Sequence, residues 1–81
     1  MNYQTICPLS ALPEGAEARV CRMRAAGGMR RRLQDLGLVA DTRVQCIQRA
    51  ASGDPTAYRI RGAVIALRAA DARLIEVGVQ A

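Results

Sequence analysis

Apolar and polar residues alternate in short runs along most of this chain, and helical spacing interrupts the alternation once. A period of two marks a strand with one buried face. Tyr58-Arg59-Ile60-Arg61 shows it strictly, which predicts Tyr58 and Ile60 inward and both arginines outward. Ala63 to Arg68 returns as a strand with Ile65 and Leu67 on one face. Thr42 to Ala50 sets Val44 and Cys46 against Gln45 and Ile47, and Leu74 to Val79 turns Ile75, Val77 and Val79 inward. Glu17 to Arg24 alternates imperfectly, with Ala18 and Val20 on one face and Cys21 and Met23 on the other. That imperfection predicts a bulge or a strong twist.

The helical interruption follows Gly27-Gly28. Met29, Leu33 and Leu36 stand at i, i+4 and i+7, which predicts a helix over Met29 to Leu36. Arg30, Arg31, Arg32, Gln34 and Asp35 fill its other face. Arg31 stands one turn before Asp35, a pairing that contributes about 0.2–0.5 kcal/mol when it forms. Gly37 can take the left-handed conformation that stops a helix, and Leu38 can then fold back onto Leu33 as in a Schellman ending.

Turn chemistry supplies the connections. Pro8 and Pro13 exclude a continuous helix over Thr5 to Gly15, which reads as a strand or an extended arm followed by a turn. Residues 1–8 are assigned to an arm free to flex, with Leu9 and Leu12 as core contacts behind it. Ser52-Gly53-Asp54-Pro55 is a loop by composition. Gly62 suits the first central position of a two-residue hairpin turn. Ala69 to Ala72 reads as one helical turn around Asp71. Strands this short must curl to bury their apolar faces. The expected fold is mainly β: a small, partly open SH3-like barrel of about five strands, with one short α-helix after the first barrel strand. The 81 residues are expected to form a single domain over 1–81.

Composition narrows the chemistry. Two tyrosines are the only aromatics, so the core must be aliphatic. The net charge of +5 comes wholly from arginine, because lysine is absent. A coding bias toward arginine and alanine dilutes the argument from charge, although attraction to an acidic surface remains physically sound. Without histidine the chain lacks the commonest general base and the commonest metal ligand. Without lysine it has no P-loop, and Gly27-Gly28 lacks the spacing of a dinucleotide fingerprint. The seven carboxylates read as solvated surface groups. These features argue for binding rather than catalysis, with no cofactor. No apolar run reaches the roughly 20 residues that span a bilayer, and the N-terminus lacks the pattern of a signal peptide. A cytosolic location without membrane insertion is therefore expected.

Cys7, Cys21 and Cys46 are odd in number, and no C-x-x-C occurs. Cys21 and Cys46 read chiefly as small core residues that could approach each other on adjacent strands, with Cys7 nearby and more reactive. As metal ligands all three are weak candidates. The run Arg30-Arg31-Arg32 is the most basic point, and it reads equally as a solvated helix face or as a docking face for an acidic partner. Leu33 could anchor such a face, although its spacing more simply makes it core. The lack of Phe and Trp weakens both nucleic-acid and proline-peptide recognition.

Met29-Arg30-Arg31-Arg32-Leu33-Gln34-Asp35-Leu36-Gly37-Leu38 resembles the helix of the FeoA family, whose signature is R-x-x-L-x-x-L-G-hydrophobic. Arg30, Leu33, Leu36, Gly37 and Leu38 match it. Gly53-Asp54-Pro55, Tyr58, Ile60, Gly62 and Ala66-Leu67-Arg68 resemble the family's GDP loop, hairpin and ALR strand. Asp71-Ala72 with Ile75-Glu76-Val77 resembles its ending, and Pro8-Leu9 with Gly15 to Val20 its beginning. The chain departs from the family at Ala40-Asp41, where Pro-Gly is frequent, and at Ala51-Ser52, where a proline often precedes the loop. Asp41 tolerates the left-handed conformation such a turn needs.

The resemblance implies an SH3-like fold and an accessory role to FeoB, a polytopic ferrous iron transporter with a cytosolic GTP-binding domain. Arg30, Arg31, Arg32 and Leu33 are then the candidate partner-binding residues. Leu36, Gly37, Leu38, Gly53, Asp54, Pro55 and Gly62 form the structural motif. Two alternatives stand beside this reading. One is a basic module for nucleic acid or anionic surfaces. The other is a metal-sensing domain like the SH3-like domains of iron-dependent repressors. An exposed barrel edge and Cys7 leave homo-oligomers open.

Overall fold

The structure, a computed structural model, describes residues 3–80. Its strands are β1 (Tyr3–Pro8), β2 (Glu17–Met23), β3 (Arg43–Arg49), β4 (Thr56–Ile60), β5 (Ala63–Leu67) and β6 (Ile75–Gln80). A 3-10 turn over Leu9–Ala11 follows β1, helix α1 (Gly27–Asp35) joins β2 to β3, and the single turn α2 (Ala69–Ala72) joins β5 to β6. The strands form one sheet in the order β1-β6-β2-β3-β4-β5, antiparallel throughout. β1 and β5 do not pair, so the sheet stays open between them.

Of the strand or flexible arm expected at the start of the chain, residues 3–8 form the strand. They are an edge strand in register with β6, Ile6 opposite Gly78 and Cys7 opposite Val77. The two strands lie at opposite ends of the sequence, so no local pattern announces the pairing. Residues 1 and 2 of that arm lie outside the described residues. The bulge expected in the next strand is present: the pairing of β2 with β6 shifts between Val20 and Arg22. A second shift, between Cys46 and Gln48, bends β3 against β4. Such bulges increase local twist and help a short sheet curl.

The curled sheet encloses Ala18, Val20, Val44, Cys46, Tyr58, Ile60, Leu67, Ile75 and Val77. Leu9, Leu12, Leu33, Leu38 and Ala72 close over them from the connecting segments. Polar contacts hold the 3-10 turn in this position. The Tyr58 hydroxyl donates to the Leu9 carbonyl at 3.3 Å. Arg49 Nη2 donates to the carbonyls of Ser10 (2.7 Å) and Leu12 (3.0 Å), and its backbone N–H donates to Glu14 Oε2 (2.6 Å). Nothing in the alternation of Thr42 to Ala50 signals that task for Arg49.

α1 begins two residues before the expected start, at Gly27, and its stripe is as read from the spacing: Leu33 is buried, Met29 and Leu36 half-buried. Its ending is a Schellman motif. Gly37 N–H donates to Gln34 O at 2.9 Å and Leu38 N–H to Leu33 O at 3.1 Å. Gly37 has φ +104°, and a Cβ there would lie 2.7 Å from Arg61 Cδ and 3.2 Å from Ile60 Cγ2. Both dihedral and space demand glycine. Asp41 adopts φ +72°, as its tolerance of this region predicts. The β4–β5 turn differs from expectation: Arg61 (φ +53°) is its first central residue and Gly62 (φ +83°) its second. Positive φ at both matches the right-handed strand twist, and it places an arginine where glycine or asparagine is usual.

Candidate functional site

The three arginines of α1 have different surroundings. Arg30 Nη1 points back to the carbonyls of Met23 (3.3 Å) and Ala25 (3.4 Å), fastening α1 to the end of β2. Arg31 and Arg32 are exposed, and their side chains make no hydrogen bond or ion pair among the described residues. The Arg31–Asp35 pairing therefore does not form. Leu33 is 1 % exposed and offers a partner no surface.

A groove of about 250 Å³ opens beside α1. Met29, Arg32 and Leu36 line one wall; Pro55, Ala66, Arg68 and Asp71 line the other. The helix, the Gly53-Asp54-Pro55 loop and the Ala66-Leu67-Arg68 strand, separate in sequence, thus border one hollow. A larger hollow of about 520 Å³ lies on the outside of β3 and β4, where Arg43, Arg59 and Arg61 gather beside Glu17 and Val39. Arg43 already leans on Glu17 at 4.0 Å.

The loop has a structural reason. Asp54 Oδ1 accepts the N–H of Ala69 at 2.9 Å, capping α2 from a distant segment. Ser52 Oγ donates to Asp54 O at 2.9 Å, Gly53 has φ +92°, and the Asp54–Pro55 peptide is cis. Asp54 thus positions α2 and the groove wall at Arg68 and Asp71. Asp54→Ala is expected to cost about 0.5–2 kcal/mol, read as a lower thermal midpoint, while Asp54→Asn keeps an acceptor and loses less.

The cysteines do not converge. The Cys46 N–H donates to Ala16 O, so Cys46 sits beside Ala16 and Cys21 lies five residues further along β2, roughly 16 Å away. Cys21 therefore does not approach Cys46, and of the two expected core residues only Cys46 is buried; Cys21, at the bulge of β2, is half-buried. Cys7 pairs with Val77, whose other neighbour is Val20, so β6 stands between Cys7 and Cys21. Two strand spacings of about 4.8 Å exceed the reach of a disulfide. Burial pushes the Cys7 thiol above its ordinary value, helped by Cys21, and burial likewise raises Cys46. Cys7 is half-buried in a paired strand rather than in a mobile arm, and its raised thiol is less reactive than the sequence suggested. Among the described residues no three His, Cys, Asp or Glu side chains cluster to hold a metal ion. Among them too, no helix is long and apolar enough to cross a membrane.

Comparison with known proteins gives this arrangement a family. Residues 7–79 match the FeoA domain. A Fe(2+) transport protein A/Fe(2+) transporter FeoB fusion protein of Porphyromonas gingivalis is 36% identical over 69 residues, covering 85% of this chain. The chain corresponds to 8% of that relative's length. The solution structure of the FeoA protein of Chlorobium tepidum superposes with TM-score 0.84 at 35% identity, over 91% of this chain and 70% of that one. Stenotrophomonas maltophilia FeoA, solved in complex with zinc and described as an SH3 domain protein, superposes with TM-score 0.77 at 27% identity, over 85% of this chain and 86% of that one. The mainly β, SH3-like fold expected from the alternating runs is the fold observed, with six strands in place of five. With the helix ending and the Gly53-Asp54-Pro55 loop both falling within residues 7–79, the chain belongs to the FeoA domain family.

Proposed function

We propose that this chain is a cytosolic accessory of ferrous iron uptake that docks on the GTP-binding part of a FeoB-type transporter. The observation that carries this reading is the groove between α1 and the Ala66-Leu67-Arg68 strand. It offers half-buried apolar side chains, Met29 and Leu36, between two arginines, Arg32 and Arg68, with no ion-pair partner among the described residues. An apolar floor with a charged rim suits a protein partner with acidic groups. The fusion protein of Porphyromonas gingivalis supports the choice of partner, since its name joins a transport protein A to a FeoB transporter in one chain. A chain without a P-loop can influence a GTPase only through contact, so the nucleotide and metal chemistry belongs to the partner.

Within the docking face, Arg31 and Arg32 supply charge. Arg30 is anchored to two carbonyls, and Leu33 acts from the core by holding α1 in place. Arg31→Glu with Arg32→Glu is expected to weaken binding to the purified cytosolic domain by roughly 10-fold at low salt, without moving the thermal midpoint. Isothermal titration checks it. Undiminished binding after reversal of Arg30, Arg31 and Arg32 together would move the docking face elsewhere.

A further inference from the structure

We propose that the free edge of β5 takes up an extended acidic segment of a partner protein as an added antiparallel strand. The proposal rests on the groove being a partner-binding surface and says how the partner enters it. In the β4–β5 hairpin, Ile60 and Ala63 close a two-residue turn. The hydrogen-bonded positions are then Ala63, Ile65 and Leu67, and the N–H and C=O of Val64 and Ala66 point away from β4. Both residues are exposed, Val64 at 58 %, and among the described residues no backbone bond from another element reaches them. Exposed edges are ordinarily guarded by charge, proline or a bulge. β1 ends in Pro8, and its register shifts between Tyr3 and Thr5. β5 is Ala-Val-Ile-Ala-Leu in unbroken register.

Charge chooses the occupant. Arg61 stands at one end of β5, Arg68 at the other, and Arg59 opposite Val64. Arg61 holds φ +53°, a conformation that costs an arginine more than it would an asparagine. A second copy paired antiparallel about Ile65 would set Arg61 of each chain near Arg68 of the other, between molecules of charge +5. An acidic strand meets the same arginines with opposite sign. Its backbone supplies the hydrogen bonds, and its alternate side chains reach the groove bordered by Ala66 and Arg68.

The test is amide hydrogen exchange on the isotope-labelled chain with the capped peptide Asp-Glu-Val-Thr-Val-Glu-Asp at about 1 mM. A peptide with lysine at each acidic position serves as control, and a parallel sample holds the transporter's cytosolic domain. The amides of Val64 and Ala66 are expected to exchange fast in the free chain and to slow by roughly 10-fold with the acidic peptide. Ile65 and Leu67 should be protected throughout. Ala66→Pro removes an outward N–H that the ladder does not use and is expected to abolish peptide binding with the thermal midpoint held within about 3 °C. Should that variant misfold, the wild-type chain with the peptide N-methylated at alternate residues is expected to show the same loss. Unprotected Val64 and Ala66, equal binding of the lysine peptide, or undiminished binding of the methylated peptide would overturn the proposal. So would protection that rises with protein concentration alone, which would mark a second copy. Cytosolic-domain binding without protection at Val64 and Ala66 overturns the edge and keeps the partner; peptide protection without domain binding does the reverse.

Discussion

Leu33→Ala is expected to lower stability by about 2–5 kcal/mol, the cost of emptying a well-packed leucine site. The residue is 1 % exposed, belongs to the same buried core cluster as Leu38 and Ile60, and carries the carbonyl that accepts the Leu38 N–H at the helix end. At roughly 0.05–0.15 kcal/mol per residue, a chain of 81 residues has only about 4–12 kcal/mol to lose. With a urea dependence of about 1 kcal/mol/M, the midpoint should fall by about 2 M or more, followed by circular dichroism. Partner binding should fall in step with the folded fraction, since the side chain reaches no partner directly. Leu33→Met, close in volume, should bind as the wild type does. A Leu33→Ala chain that remained folded and lost binding would show direct contact instead. The exposed pair Arg31 and Arg32 gives the complementary result, with binding lost and stability kept.

Tyr58→Ala is expected to be about as damaging, at about 3–5 kcal/mol, because it removes the largest fully buried side chain among the described residues. Tyr58→Phe separates ring from hydroxyl. The Leu9 carbonyl that accepts the hydroxyl also accepts the Leu12 N–H, so it keeps a partner, and the loss should be about 1 kcal/mol. The hydroxyl also titrates. Burial pushes its pKa above the ordinary 10.0, with the nearby Cys46 adding to the rise. The unfolded chain therefore ionises first. The stabilisation is fully present below about pH 10 and is lost as pH rises through the folded-state value. Tyr58→Phe should flatten that decline in urea titrations between about pH 8 and about pH 11. A decline starting near the ordinary thiol value of 9.0 should persist in the variant from Cys46 and Cys7, whose thiols burial also raises.

These two residues stand on different footings in the sequence. The place of Leu33 follows from i, i+4 spacing, and its role in the helix ending follows from Gly37 and Leu38 beside it. The inward direction of Tyr58 follows from strict alternation. Its partner at Leu9, 49 positions away, does not. The same holds for the motif residues. Gly53-Asp54-Pro55 was legible as a loop and as part of a family pattern, but its work as a cap on α2 needed the Ala69 N–H brought to Asp54 by the fold. Gly62 was legible as a turn residue, while the choice of Arg61 over Gly62 for the first central position depended on where the Ile60–Ala63 pair closed the hairpin.

By itself the sequence determined β2 to β6, the helix α1 with its Schellman stop, the aliphatic core and the match to a known family, because each rests on contacts within a few residues or on a pattern carried along the chain. The tertiary structure decided the rest. It paired residues 3–8 with β6, deciding between a strand and an arm in favour of an edge strand. It parted Cys21 from Cys46 through the register of β2 and β3. It gave Arg30 two carbonyls to hold while leaving Arg31 and Arg32 free of hydrogen bonds and ion pairs among the described residues. It also brought α1, the loop and β5 around one groove. Apart from the hold of Arg30, whose carbonyl partners lie five and seven residues away, those outcomes depend on contacts between segments far apart in the chain, and a period of two or of 3.6 carries no information about which strand lies next to which.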